Sequence, residues 1–194
     1  MIARRIAVIL LAAGRATRFG GGKLGADLCG RPVARHASDR LAALPATMRI
    51  AVCSAHTPDL PGYRRLTLEP AGAPLSRSIA TGIAALNAMP GGADAVLFAL
   101  ADMPLVPAGH FTRLVENFDG DRIATRSEGR NMVPAIFGAM HFAALSALEG
   151  DRGAGALLRD APAIELASAY ALDIDTREDI EQARILIQAT PALP

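Results

Sequence analysis

Lys23 is the only lysine in the chain; the remaining basic residues are all arginine. It closes a glycine-rich stretch, Leu11-Ala12-Ala13-Gly14-Arg15-Ala16-Thr17-Arg18-Phe19-Gly20-Gly21-Gly22-Lys23, that carries three cations and no acid. Glycines let backbone N–H groups turn toward an anion and let that anion come close. An ammonium is a compact charge suited to a non-planar phosphate cluster, where a guanidinium is a planar fork. The loop therefore points to phosphate binding, but not of the common kinds. The dinucleotide spacing G-x-G-x-x-G is absent, because Arg15 and Ala16 follow Gly14. The Walker spacing fails too, since Leu24 follows Lys23 where Ser or Thr would hold magnesium.

Two acidic turns complete the chemistry. Asp102, in Ala101-Asp102-Met103-Pro104, follows an apolar run, and a carboxylate at a strand end can share Mg²⁺ with water and phosphate oxygens. Asp175 has two readings that weigh equally: a second metal carboxylate, or the N-cap of the last helix ahead of Glu178. Asp173 is read as a strand-end residue only. His36, His56, His110 and His141 share no ligand spacing with one another or with Cys29 and Cys53, which predicts no zinc site. Ser76 and Ser78 lack a Ser-His-Asp arrangement and are expected to cap a helix, with phosphate or base contact as a lesser role.

The elements that must position these groups alternate. Arg5 to Leu11 reads as a strand covered on both faces, preferred over a short secretory signal because the run opens into a basic glycine loop. A helix is expected over Arg31 to Leu44 and a strand over Arg49 to Ser54. Leu66 to Leu68 follows as a strand and Ser76 to Met89 as a helix; Asp94 to Leu100 is again a strand and Pro107 to Phe118 a helix. Strands over Arg122 to Thr125 and Met132 to Phe137 precede helices over Gly138 to Leu148 and Ala154 to Arg159. A last strand, Leu172 to Ile174, and a helix to Ala189 end the chain. This alternation predicts an α/β fold with a largely parallel sheet, whose ligands lie beyond the carboxyl ends of the strands.

Composition narrows the function. The 194 residues, with net charge +1 and mean hydropathy +0.27, suit one domain over residues 1–194. No apolar run approaches the ~20 residues of a membrane helix. Near-neutral charge, six Phe, two Tyr and no Trp argue against nucleic-acid binding. Two cysteines without a CxxC fit free thiols in a reducing cytoplasm.

Leu11-Ala12-Ala13-Gly14, with Arg18-Phe19-Gly20 and Lys23, resembles the signature L-A-A-G-x-S-x-R-M/F-G-x-x-K of the molybdenum-cofactor nucleotidyltransferases. The resemblance continues in Ser76-Arg-Ser78-Ile-Ala-Thr-Gly82, in the Asp102 turn, in Leu148-Glu-Gly-Asp-Arg-Gly-Ala154 and in Asp173-Ile-Asp175-Thr-Arg-Glu-Asp179. It implies a three-layer, Rossmann-like nucleotidyltransferase fold and transfer of a nucleoside monophosphate to a phosphate-bearing acceptor. Ala12-Ala13 and the Gly150 to Ala154 stretch are similar to the cytidylyltransferase branch, implying CTP and molybdopterin; GTP is the alternative within the family.

By the same resemblance, Lys23 and Arg18 hold the β- and γ-phosphates. Leu11 to Arg15, Gly20, Gly22, Ser78 and Gly82 contact the nucleotide, and Asp102 with Asp175 holds Mg²⁺. A molybdoenzyme or its chaperone is an implied partner. Two departures stand out: Ala16 replaces a serine or glycine, and Arg130-Asn131-Met132-Val133-Pro134 keeps only the proline of a Gly-His-Pro. These leave open a non-catalytic module that binds a nucleotide or cofactor and delivers it to a partner. An NAD-dependent oxidoreductase is disfavoured by the missing glycine fingerprint.

Overall fold

The computed structural model describes residues 4–14, 19–69, 73–151 and 153–189. Its centre is β1 (Ile6–Ala12), buried at every position, as an uninterrupted apolar run must be when helices cover both faces. β1 pairs in parallel with β4 (Met48–Cys53) on one side and β6 (Ala95–Leu100) on the other. β5 (Arg64–Thr67) extends the sheet beyond β4. On the far side β8 (Arg130–Gly138) runs antiparallel to β6 and forms a hairpin with β7 (Arg122–Ser127). β9 (Ala163–Glu165) closes that edge, parallel to β7. The order is β5-β4-β1-β6-β8-β7-β9, so the sheet is mostly parallel with one reversed strand, as the sequence pattern predicts.

Two apolar layers sandwich this sheet. Alternate β1 residues Val8 and Leu10 face α1 (Val33–Ala42) and α3 (Ala108–Glu116) through Leu41, Phe111 and Leu114. Ala7, Ile9 and Leu11 face α2 (Leu75–Asn87), α4 (Phe142–Ser146) and α5 (Gly155–Leu158) through Ile79, Ile83, Leu145 and Leu158. Gly82 makes the α2 contact possible: a Cβ there would stand 2.9 Å from the Ile9 side chain. A third cluster binds α6 (Arg177–Ala189) across the top through Phe19, Leu28, Leu105, Ile174, Ile180 and Ala183.

Several boundaries differ from the sequence reading. Arg31 and Pro32 do not begin α1; they form β3, paired with β2 (Asp27–Leu28), because the left-handed Cys29 and Gly30 turn the chain there. The helix expected over Gly138 to Leu148 is a 3-10 turn followed by the short α4. Leu172 to Ile174 is not a strand. It crosses the strand ends, where the Ile174 amide donates a single bond to the Asp102 carbonyl, 2.9 Å. β9, only three residues long, lies in a stretch that carries no strand prediction.

Candidate active site

β1 and β6 deliver their ends to the same place. The Ala101 amide donates to the Leu11 carbonyl, 3.0 Å, so the turn after β6 is held beside the turn after β1. On the other side of β1, the Thr57 hydroxyl donates to the Ala12 carbonyl, 2.6 Å, fixing where the strand opens into its loop. Gly22, left-handed at φ 67°, then turns the chain into a 3-10 turn that begins with Lys23 and returns its side chain over the strand ends.

Lys23 is 5% exposed, and its ammonium lies 2.7 Å from Asp102 Oδ2, 3.0 Å from Asp175 Oδ1 and 3.9 Å from Asp173 Oδ1. Burial by itself would push this amine down most strongly, but the Asp102 carboxylate, helped by Asp175 and Asp173, more than reverses it. The net direction is up, and the ammonium stays charged. Asp102 is the main counterion because its side chain is 17% exposed, against 43% for Asp175. Asp173 is no bystander. Burial, then the nearby Asp102 charge, push its carboxyl up to about 7 against the pull of Lys23.

The structure resolves the two readings of Asp175 in one respect. The α6 cap is made by Thr176, whose hydroxyl accepts from the Asp179 amide at 3.3 Å, while Asp179 accepts from the Thr176 amide at 2.7 Å. Asp179 is held below its ordinary value by these bonds, although burial works against them. The reciprocal cap leaves the Asp175 carboxylate turned toward Lys23.

These groups line a cavity of about 350 Å³ together with Leu11, Ala12, Ala13, Gly14, Leu24 and Ser78. Gly20 and Gly22 lie outside that lining, and Gly82 sits in the helix–sheet contact instead. Arg15 and Arg18 lie outside the described residues. Ser76 and Ser78 do not cap α2: they follow Pro74 and Leu75 inside its first turn, both buried, with Ser78 at the cavity. Asp151, also at the cavity, is not marked as a site residue by spacing; its place after Gly150 in the loop before α5 is the available signal.

Asp102 Oδ1 is buried and accepts no hydrogen bond from an N–H or hydroxyl among the described residues, and the Asp173 carboxyl, when protonated, bonds to Asp102. An orphaned carboxylate oxygen beside a second carboxylate suits a hard cation that keeps water and phosphate as its other ligands. No group of three or more His, Cys, Asp and Glu that could hold a metal occurs among the described residues.

Solved structures share this fold. The chain is 20% identical to a nucleotidyl transferase from Methanothermobacter thermautotroptrophicus, Mth528, covering 96% of this chain and 99% of that one at TM-score 0.79. Rv0371c from Mycobacterium tuberculosis H37Rv, solved in complex with manganese, is 19% identical over 94% and 99% of the two chains, TM-score 0.78. The 4-diphosphocytidyl-2C-methyl-D-erythritol synthase of Anaerococcus prevotii DSM 20548 is 16% identical over 96% and 97%, TM-score 0.71. No curated protein matches the chain by sequence. Residues 8–167 match the MobA-like NTP transferase domain, and the chain belongs to that family.

Proposed function

We propose that this protein transfers a nucleoside monophosphate, CMP from CTP in preference to GMP from GTP, to the phosphate of a small acceptor, with molybdopterin the favoured one. An acceptor phosphate oxygen bonds to the α-phosphorus, the bond from that phosphorus to its bridging oxygen breaks, and pyrophosphate leaves with the electron pair. The carrying observation is the Lys23 ammonium, buried at the strand ends and open to the cavity formed by Leu11 to Gly14. Little covalent work falls to protein in such reactions; position and charge carry them.

Lys23 in this reading neutralises charge that grows on the departing pyrophosphate, and Arg18 assists it. Amides of Ala13 to Gly22 hold phosphate oxygens, and Ser78 lies beside the nucleoside. The described cavity lining sets one ammonium against Asp102, Asp151, Asp173 and Asp175, a poor host for a bare triphosphate. A divalent cation, Mg²⁺ in our reading, relieves this by neutralising phosphate charge, and Asp102 with Asp175 would hold it. The manganese complex of Rv0371c supports a divalent ion. With Asp102 and Asp175 holding such a cation, Lys23 would be left to bind phosphate oxygens.

Two measurements test the reading. In a thermal-shift series with Mg²⁺, CTP is expected to raise the melting temperature more than GTP, UTP or ATP, since a ligand of the native state adds to its stability. Equal or larger shifts with GTP move the assignment to guanylyl transfer. Pyrophosphate release from CTP with molybdopterin is the expected activity; nucleotide binding without release under those conditions marks a non-catalytic carrier.

A further inference from the structure

Arg40 stands in the last turn of α1, half-buried, and no carboxylate pairs with it among the described residues. Burial alone acts on its guanidinium and pushes its pKa down from the ordinary value. Such a cation costs stability that leucine or methionine at this position would not. A positive charge does favour a helix end, but a side chain turned to solvent would supply that too. The guanidinium turns inward instead. Arg40 Nη1 donates to the carbonyl of Pro104, in the turn that follows β6. Pro104 is buried, and no other donor reaches its carbonyl among the described residues. Buried carbonyls require a donor, and this one has it from a helix earlier in the chain.

That turn carries Asp102. Its start is held by the Ala101 amide on the Leu11 carbonyl, 3.0 Å, and its middle by the Ile174 amide on the Asp102 carbonyl, 2.9 Å. Past Asp102, Arg40 supplies the side-chain tie. We propose that Arg40 is a positioning residue for the charged site: through the Pro104 carbonyl it fixes this turn, and so the place of the Asp102 carboxylate against Lys23. The inference rests on the nucleotidyl-transfer reading for what the site does, and adds to it a residue that touches no ligand. The tolerance is small. Asp102 Oδ2 lies 2.7 Å from the Lys23 ammonium, and a shift of the turn by about 1 Å would carry the pair out of hydrogen-bond range. The same shift would misplace the carboxylate for the cation that Asp102 would hold.

Lys23 is the only lysine in the chain, so lysine carrying carbon-13 at Cε gives one site-specific magnetic-resonance signal. Arg40→Met, which keeps a long side chain and removes the donors, is expected to displace that signal in metal-free protein. Arg35→Met is the control: Arg35 lies on the same helix, paired with Asp39, and its loss should leave the signal in place. With a non-hydrolysable CTP analogue present, Arg40→Met is expected to weaken Mn²⁺ binding, read by electron paramagnetic resonance, by about tenfold. Arg40→Lys, which keeps a cationic donor, should restore most of that loss. An unmoved Lys23 signal in folded Arg40→Met, unchanged Mn²⁺ binding, or an equal displacement in Arg35→Met overturns the inference. If Arg40→Met does not fold, Arg40→Gln, polar but shorter, is read in the same way. Failure of both to fold makes Arg40 a residue of stability alone and also overturns it. The underlying reading fails by a different result, no thermal shift with any of the four nucleoside triphosphates; the Lys23 signal of metal-free protein then decides this inference by itself.

Discussion

The charged cavity and a second one beside it share Leu11, Leu75 and Leu100, yet among the described residues one is lined by charge and the other is not. The strand directions explain the difference. β1 and β6 run in parallel and end together, so the turns that follow them bring Lys23 and Asp102 to one point. β8 runs the other way and presents its beginning there, so strand side chains, Met132 and Val133, form the wall where a parallel strand would have offered a polar turn. In the β7–β8 half, Thr125 links β7, β8 and α3. The Thr125 hydroxyl must donate to the Pro134 carbonyl, 2.6 Å, and so accepts from His110 Nε2–H, 2.8 Å. Burial, then Arg113, push that imidazole down to about 4 and keep it neutral.

Lys23 should break the charged half most severely. Lys23→Ala is expected to lower turnover by roughly 10²-fold or more, the scale of removing a stabiliser of developing charge. Lys23→Arg should also be impaired, because the buried space between Asp102 and Asp175 suits an ammonium and not a planar fork. Near-normal turnover in the arginine variant, in a pyrophosphate-release assay, would show that any cation serves.

The carboxylates should divide unequally. Asp102→Asn removes the buried counterion and is expected to abolish most Mg²⁺-dependent turnover while circular dichroism stays native. Asp175→Asn should be milder in turnover than Asp102→Asn and, if Asp175 shares the cation as proposed, should raise the Mg²⁺ needed for half-maximal rate. Thr176→Ala separates the cap from the metal: it should cost about 1 kcal/mol of stability with the metal requirement unchanged. A shifted Mg²⁺ requirement in Thr176→Ala would mean that the cap and the site are one unit.

On the apolar side, Thr125→Val keeps the shape but leaves His110 Nε2–H and the Pro134 carbonyl without partners. Denaturant unfolding should show a loss of about 1–3 kcal/mol. An unchanged midpoint would show that the buried chain of hydrogen bonds is dispensable.

The smallest effect is expected from Asp173. Its folded carboxyl sits at about 7, above its ordinary range, so the folded state holds a proton that the unfolded state releases. Stability from this group is therefore present below about pH 4 and lost as pH rises through 7. Asp173→Asn should raise the melting temperature at pH 8 in metal-free buffer and leave it nearly unchanged at pH 4. An equal gain at both values would mean that the effect is not electrostatic.

Much of this was legible in the chain alone, and the reason is local. Ile6 to Leu11 reads as a covered strand from its unbroken apolar run, and a glycine-rich loop after such a strand places Lys23 near its end whatever the rest of the fold does. Asp102 follows by the same logic from the buried run Ala95 to Leu100. Their 2.7 Å contact needed the parallel pairing of β1 with β6, which spacing suggests but cannot measure. Asp173 looked like a strand end because its neighbours are apolar; it joins the site because Leu172 to Ile174 crosses the strand ends, packing Ile174 into the cluster beneath α6. Thr176 and Asp179 outcompeted Asp175 for the cap, a choice between adjacent residues that only the turn geometry makes. The second cavity lay furthest from sequence reasoning: Leu75, Phe98, Met132 and Val133 are ordinary core residues in the chain, and only the reversal of β8 leaves a space between them. Local pattern determines which segments end in chemistry, because a strand and its turn are neighbours in sequence. Which of those ends meet, and what is left open between them, depends on contacts tens of residues apart that only the packed sheet decides.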